Sequence, residues 1–383
     1  MGKMSQRKIT MITFFYSFIV VGAYFSVIGS VMPMMREEYG LDYSISGIMM
    51  SALSVGYLVA GATVDIIGRR FGKKRTYIMF HIGLLIGLTL MMFVSNSGLL
   101  LFAAVIAGLS RGCIDTNGNR AVSVAAQGDD APINFLQACY SMGTCIAPLI
   151  TMACGASWRV ALTIIVVMGA VSLVMSFRLS FDEENVEKKS EKNRPDYSFF
   201  KSRLFWQSVI FLMCDISLQD SLIGWIVTFF RDSGTVSEST AQLLATVLYA
   251  MILVGRIVIS GLASKIKPKY MLVVMAPGVL AWFSVMVLST TAPLMIVGLI
   301  GLGIFMAGIY GAALAGAGSL IDKYPLSMGM LITLPGVGAV VFPGLVGIVS
   351  NNLGVRSGLK VLYIIIVIFL VNAIFNLKNK KEL

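Results

Sequence analysis

The sequence predicts an all-α integral membrane protein with twelve transmembrane helices, arranged as two pseudo-symmetric six-helix bundles. Hydrophobic residues make up 57% of its 383 residues and charged residues only 13%. The mean hydropathy is +0.85, outside the range of soluble domains. Twelve segments each carry roughly the 20 apolar residues that cross a bilayer. A polar stretch divides them into two groups of six.

The predicted spans lie at about residues 9–32, 45–67, 76–95, 98–125, 134–153, 158–178, 204–230, 240–264, 269–290, 293–320, 325–350 and 357–376. The first span is expected to end at Pro33. Residues 1–178 form the predicted N-terminal bundle and residues 204–383 the C-terminal bundle. The stretch between them, 179–203, has mixed charge and low hydrophobicity, so we expect a flexible cytoplasmic linker.

The net charge of +11 is explained by how the basic residues are distributed among the loops. If the N-terminus is cytoplasmic, Lys and Arg concentrate in the inside loops, as the positive-inside rule requires. We therefore expect both termini in the cytoplasm, a location in the bacterial plasma membrane, the lipid bilayer as a partner and no nucleic-acid partner. The first hydrophobic stretch lacks a small-residue cleavage site and is interpreted as an uncleaved helix.

The sequence offers little for catalysis or metal binding. Its five cysteines fall in predicted helices without a CxxC pair, so neither disulfides nor structural zinc are expected. With a single histidine there is no HExxH, Ser-His or Cys-His arrangement, and no Walker-type Gly-Lys-Ser/Thr motif is present. We expect no enzyme, no cofactor and no direct use of ATP.

The fourth predicted helix carries a polar stripe made of Arg111, Asp115 and Asn119. Residues four apart lie on one helix face, and a charge at mid-membrane costs at least ~2.5–3.5 kcal/mol, so these side chains should face a watery pathway. Arg111 could pair with Asp115 in one state and with substrate in another, which would switch the proton affinity of Asp115. The alternative is a structural ion pair.

A short basic turn between the second and third helices contains Asp65, Arg69, Arg70, Gly72 and Lys73. These residues could form a gating latch that pairs with neighbouring helix ends. Alternatively, they serve only to fix the orientation of the protein in the membrane. The turn resembles the signature loop of the major facilitator superfamily, because residues 70–75 match its second half. Asp65 stands where that family has Gly, and Arg69 where it has Asp; an alternative frame uses Gly61, Asp65 and Gly68.

Helices 4 and 5 resemble the fucose permease-like branch of that superfamily, which consists of sugar–proton symporters. Residues 115–119 look like its acidic-Thr-x-x-Asn segment, and residues 134–143 like its helix 5 pattern. The resemblance implies that Asp115 couples protons and that Gln137 contacts sugar. The branch also has an acid in helix 1, where this chain has Gly29, so coupling through a helix 1 carboxylate is excluded.

The second half offers Asp215, Gln219 and Arg256. The permease-like branch often has an acid about six residues before Trp225, which here is Gln219, and Asp215 lies one turn earlier as a second coupling candidate. Arg256 either binds a substrate carboxylate or forms a structural pair with Asp215 or Asp220.

Together these features predict a secondary active transporter that works by alternating access, most simply as a proton-coupled sugar symporter. Arg111, Asn119, Gln137, Tyr24, Gln219 and Arg256 are its candidate substrate-binding residues, although the aromatic residues of the first helix, Tyr24 included, could serve only in packing. The alternative is a carrier of a small organic anion that uses Arg111 and Arg256. Na⁺ could replace H⁺ as the coupling ion. A monomer is expected because one chain contains both bundles.

Overall fold

The computed structural model describes residues 3–126, 131–155, 157–179, 196–263, 265–324 and 326–378. All secondary structure within these ranges is helical. Twelve helical segments are long and apolar enough to cross a membrane. The predicted fold class is confirmed. The chain divides into two compact units, Met1–Asn193 and Arg194–Leu383.

The first unit contains six long helices, one for each predicted span. They are α1 (Lys3–Tyr39), α2 (Tyr43–Phe71), α3 (Lys73–Phe93), α4 (Ser97–Ala126), α5 (Ala131–Cys154) and α6 (Trp158–Ser176).

The second unit contains six further spans, and the last three of them are interrupted. The uninterrupted helices are α7 (Arg203–Asp232), α8 (Glu238–Ala263) and α9 (Pro268–Leu288). The tenth span consists of α10 (Ala292–Met306) and α11 (Ile309–Gly316), and the short α12 (Gly318–Lys323) follows it. The eleventh consists of α13 (Leu326–Thr333) and α14 (Gly336–Leu353). The twelfth consists of α15 (Val355–Leu359), a 3-10 helix (Lys360–Leu362) and α16 (Tyr363–Lys378).

The first helix does not end at Pro33, so that prediction is wrong. Helix α1 continues through the proline to Tyr39. Pro33 cannot donate to the carbonyl of Gly29, but neighbouring helices make such a loss tolerable in a membrane. Met32, Met34 and Met35 around the proline are all buried, so packing supports the helix beyond it.

The tenth and eleventh predicted spans are each divided into two helices. The eleventh is interrupted at Leu334 and Pro335, between α13 and α14. Pro335 lacks the N–H that a continuous helix would need there, and its conformation instead starts the next helix. The tenth is interrupted at Ala307 and Gly308, where an added Cβ on Gly308 would lie 2.6 Å from Ile259 Cδ1.

The predicted linker is described only at its ends, because residues 180–195 lie outside the described ranges. Near its C-terminal end, Ser198–Lys201 form a 3-10 helix. Phe199 is fully buried, with its ring centre 5.1 Å from that of Phe205 on α7. Asp196 Oδ1 accepts a hydrogen bond from the N–H of Ser198 at 2.8 Å. This end of the stretch is therefore packed onto the second unit.

Two glycines allow α2 and α4 to approach closely. A Cβ added to Gly56 would lie 2.7 Å from the main-chain nitrogen of Leu109, and one added to Gly108 would overlap the carbonyl oxygen of Leu53. Small residues commonly let membrane helices come this close. The contact brings Tyr57, the neighbour of Gly56, towards α4.

In each unit an arginine on the last span caps the end of the third span. Arg159 Nε donates to the carbonyl of Met92 at 2.8 Å, and Arg356 Nη1 donates to the carbonyl of Ser289 at 2.6 Å. Both bonds join residues 67 apart in sequence. The last carbonyls of a helix have no partner within it, so each arginine satisfies one such acceptor. The Met92 carbonyl also accepts from Tyr39 Oη at 2.6 Å.

Candidate functional site

A hydrogen-bonded network centred on Asp115 forms the candidate site of the first unit. Tyr57 Oη on α2 donates to Asp115 Oδ2 at 2.7 Å. Asn119 Nδ2 donates to Asp115 Oδ1 at 3.3 Å and to the main-chain oxygen of Asp115 at 2.9 Å. Asp115 and Asn119 lie one helical turn apart, as expected from their spacing, and both are half-buried.

The network continues from Asn119 to an exposed amide on α5. Gln137 Nε2 donates to Asn119 Oδ1 at 3.1 Å, and the Gln137 side chain is exposed. Three residues that the sequence singled out on two helices, Asp115, Asn119 and Gln137, are thus brought into one chain of hydrogen bonds. A solute contacting Gln137 would be linked to the Asp115 carboxylate through a single intervening side chain.

Arg111 lies one turn before Asp115 in an aromatic setting. Its Cζ is 3.7 Å from the ring centre of Phe25 and 4.8 Å from that of Tyr57. Its Nη2 donates to Tyr140 Oη at 3.1 Å. The guanidinium also interacts electrostatically with Asp115. The predicted Arg–Asp relationship is therefore present as a charge interaction, while aromatic side chains hold the guanidinium in place.

Tyr24 is fully buried, at 0% exposure. Its phenol lies close enough to Arg111 and Tyr140 to interact with them electrostatically. In this structure the side chain is closed to solvent, and a substrate-binding role for Tyr24 stays a prediction.

The candidate gating turn is a direct junction between α2 and α3. Gly72 alone separates the two helices and has a φ of 89°, a conformation that favours glycine. Arg69 and Arg70 lie in the last turn of α2, where positive charge complements the helix dipole. Lys73 is the first residue of α3.

Asp65 lies away from this junction, about two turns earlier on α2. Its carboxylate pairs with Arg120 of α4 at 3.4 Å, and both side chains are substantially exposed, at 60% and 36%. The acid of the candidate latch therefore joins α2 to α4. An exposed pair of this kind contributes little to stability.

The second unit holds a separate cluster on α7 and α8. Asp215 is 2% exposed and accepts hydrogen bonds from Gln219 Nε2 at 3.2 and 3.1 Å. Gln219 Oε1 accepts from Arg256 Nη2 at 3.5 Å, so its amide bridges the acid and the guanidinium. Among the described residues, no three His, Cys, Asp or Glu side chains are placed to hold a metal ion.

Three site residues were missed by the sequence analysis: Tyr57, Phe25 and Tyr140. They come from helices other than α4, so no spacing within one helix could identify them. One signal was present for Tyr57, since it follows a glycine in a membrane helix and glycines often mark close helix contacts.

Comparison with solved structures shows a shared fold. A D-xylose–proton symporter matches with a TM-score of 0.80 at 13% identity, covering 98% of both chains. A bacterial homolog of the human lysosomal transporter Spinster matches with a TM-score of 0.81 at 13% identity, again covering 98% of both. The nucleoside transporter NupG matches with a TM-score of 0.74 at 16% identity, covering 98% of this chain and 100% of the other.

Sequence comparison identifies the family. An uncharacterized protein of Campylobacter jejuni is 22% identical over 223 residues, which are 56% of this chain and 68% of the relative. The sequence model of the Major Facilitator Superfamily matches residues 14–315, most of the chain. Together with twelve membrane-spanning helices in two units, this match shows that the chain belongs to the Major Facilitator Superfamily of membrane transporters.

Proposed function

We propose that this protein is a secondary active transporter that couples the movement of a small neutral sugar to protons by alternating access. The observation that carries the proposal is the chain of hydrogen bonds from the exposed Gln137 through Asn119 to Asp115. It links a group able to bind a solute with a group able to bind a proton. In this proposal the energy comes from a proton gradient.

The charges of both clusters favour a neutral solute. Arg111 interacts with Asp115, and Arg256 interacts with Asp215 and bonds to Gln219. Each guanidinium thus already has a carboxylate nearby, and a neutral solute leaves these charges balanced. The amide of Gln137 can both donate and accept hydrogen bonds, which suits the hydroxyl groups of a sugar.

Proton binding at Asp115 provides the coupling step of the proposal. A protonated Asp115 no longer offsets the charge of Arg111, so the guanidinium changes its preferred partners in the proton-loaded state. Asp215 is the second coupling candidate, because it is a nearly fully buried acid in the other unit.

A small organic anion is the second candidate solute. The Phe25 ring covers one face of the Arg111 guanidinium. A stacked guanidinium can still use its edge for a planar carboxylate, and Arg256 supplies a second cation. Such an anion would compete with Asp115 for Arg111, so its binding would require a proton on Asp115.

The proposal includes an orientation with both termini in the cytoplasm of a bacterial cell, which places the Gly72 junction on the cytoplasmic side. There Arg69, Arg70 and Lys73 act as a gate. The working unit is one chain. The orientation is tested by cysteine labelling of loop residues from either side of the membrane.

The transport proposal is tested in proteoliposomes. An imposed proton gradient, inside alkaline, should drive accumulation of labelled monosaccharides, whereas a Na⁺ gradient alone should not. Asp115→Asn should abolish accumulation and retain sugar exchange; Asp322→Asn, which changes an exposed acid on α12, is the matched control. Accumulation that is unchanged in Asp115→Asn would refute the coupling role.

A thermal-shift screen in detergent separates the two solute classes. A ligand at a hundredfold excess over its Kd stabilises the folded state by about 2.7 kcal/mol. Stabilisation by sugars that is lost in Gln137→Ala supports the sugar proposal. Stabilisation by carboxylates alone, lost in Arg111→Gln, would make the protein an organic-anion carrier.

A further inference from the structure

The hydrogen bonds at Asp115 all have the same direction. Tyr57 donates to Oδ2 and Asn119 donates to Oδ1, so both partners point their hydrogens at the carboxylate. Gln137 in turn donates to Asn119. An ionised carboxylate can only accept, so both partners donate to Asp115 when it is charged.

Binding of a proton requires one partner to change its role, and Asn119 is poorly suited to do so. Its Nδ2 also donates to the main-chain oxygen of Asp115 at 2.9 Å, and its Oδ1 already accepts from Gln137. Turning the amide over would break both bonds. A proton on Oδ1 would also face the N–H of Asn119, which is a donor.

Tyr57 is the partner that can change. A phenol hydroxyl both donates and accepts, and its hydrogen rotates about the C–O bond. A proton placed on Asp115 Oδ2 therefore becomes the donor, and Tyr57 Oη becomes its acceptor at the same 2.7 Å contact. The phenol hydrogen then points away from Asp115.

We propose that Tyr57 is a positioning residue that reads the protonation state of Asp115, donating to the carboxylate and accepting from the acid, and so transmits that state to α2. The inference rests on the proposed proton coupling at Asp115. Two contacts carry the signal onward. The Tyr57 ring lies 4.8 Å from Arg111 Cζ, and the adjacent Gly56 packs on α4.

The other groups around Asp115 do not offer the same response. Arg111 on α4 is a permanent cation, and Tyr140 of α5 and Tyr24 of α1 interact with that arginine. On α3, Tyr77 interacts electrostatically with Cys113 of α4 and not with Asp115 itself. Tyr77 bonds to Ser17 and packs on Phe14, and His81 packs on Tyr77. The basic residues of α3, 73–75, are confined to its first turn.

The test measures the protonation of Asp115 directly and needs no substrate. Infrared difference spectra of the full-length protein in detergent, recorded as the pH is stepped, contain the C=O band of protonated carboxylic acids. The band that Asp115→Asn removes belongs to Asp115. Tyr57→Phe keeps the ring but removes the hydroxyl. Tyr39→Phe removes a phenol of the same unit that bonds to the carbonyl of Met92 and serves as the matched control.

We expect Tyr57→Phe to move the midpoint of the Asp115 band upward by about one pH unit, a tenfold change in proton affinity, because the charged form loses the stronger bond. The band should also move to the frequency of a more weakly bonded acid. Tyr39→Phe should change neither. A midpoint and frequency in Tyr57→Phe equal to those of the wild type would overturn the inference, as would a wild-type spectrum without an Asp115 band.

Failure of the role of Tyr57 can be distinguished from failure of the proposed function. If Asp115→Asn still accumulates sugar against a gradient, the coupling role fails even when the infrared shift is seen. If Asp115→Asn abolishes accumulation but Tyr57→Phe leaves the band unchanged, only the role of Tyr57 fails.

Discussion

The close packing of α2 on α4 at Gly108 should be essential for the geometry around Asp115. We predict that Gly108→Ala destabilises the protein and weakens the contact between Tyr57 and Asp115. An alanine Cβ would overlap the carbonyl oxygen of Leu53, whereas ordinary van der Waals contact begins at 3.4 Å. The clash is with main-chain atoms, so no side chain can turn away to relieve it.

The expected cost follows from how far the helices must move. The two backbones would have to separate locally by about 1 Å or more, and such overpacking typically costs about 1–3 kcal/mol. The Tyr57–Asp115 bond is 2.7 Å long. The same displacement would stretch it beyond the range of a good O–H···O hydrogen bond.

The matched control is Gly61→Ala on α2, the helix that packs against α4. Gly61 is exposed, and a Cβ there would meet nothing within 4 Å. Alanine in an open helical position is typically worth about 0.5–1 kcal/mol relative to glycine, so this variant should be at least as stable as the wild type. Thermal unfolding in one detergent at one scan rate compares the two, since membrane proteins often unfold irreversibly. Equal melting temperatures for the two variants would show that this reasoning about the interface is wrong.

Three further predictions concern single contacts. Trp225→Phe should cost about 1 kcal/mol, because it removes the hydrogen bond that the indole N–H donates to the Pro343 carbonyl at 3.1 Å; an unchanged melting temperature would contradict this. Arg159→Gln should cost about 1 kcal/mol, because it removes both the donor to the Met92 carbonyl and the partly exposed ion pair with Glu38; a melting temperature equal to that of the wild type would contradict this. The Ser198 donors lower the pKa of Asp196, so the contribution of Asp196 to folding is present above the ordinary pKa of Asp, about 3.9, and is lost as the pH falls through the lowered value. The protection factors of the amides of residues 198–202, which correct for the intrinsic pH dependence of exchange, should therefore fall at acidic pH, and Asp196→Asn should abolish that fall.

The number and order of the membrane spans could be predicted from the sequence, because hydrophobic length is a local property. The end of α1 could not be predicted in this way. Proline commonly ends helices in water, but Pro33 is tolerated here because buried residues on both sides hold the helix together. Pro335 indicated the interruption before Gly336. The sequence did not indicate where this interruption would lie within the eleventh span.

The polar stripe of α4 was also predictable, because residues four apart must share a helix face. The hydrogen-bond partner of Asp115 on another helix was not predictable. The strongest hydrogen bond to Asp115 comes from Tyr57, 58 residues earlier in the chain, and it exists only because Gly56 lets α2 approach. The aromatic contacts of Arg111 likewise depend on helix packing that no spacing reveals.

The two arginine caps bear on the history of the chain. Arg159 and Arg356 occupy the second position of their spans, and each bonds a carbonyl at the end of the third span of its own unit. The separation is the same 67 residues in both units, although the surrounding sequences differ. A shared register of this kind is what duplication of an ancestral six-helix gene would leave behind.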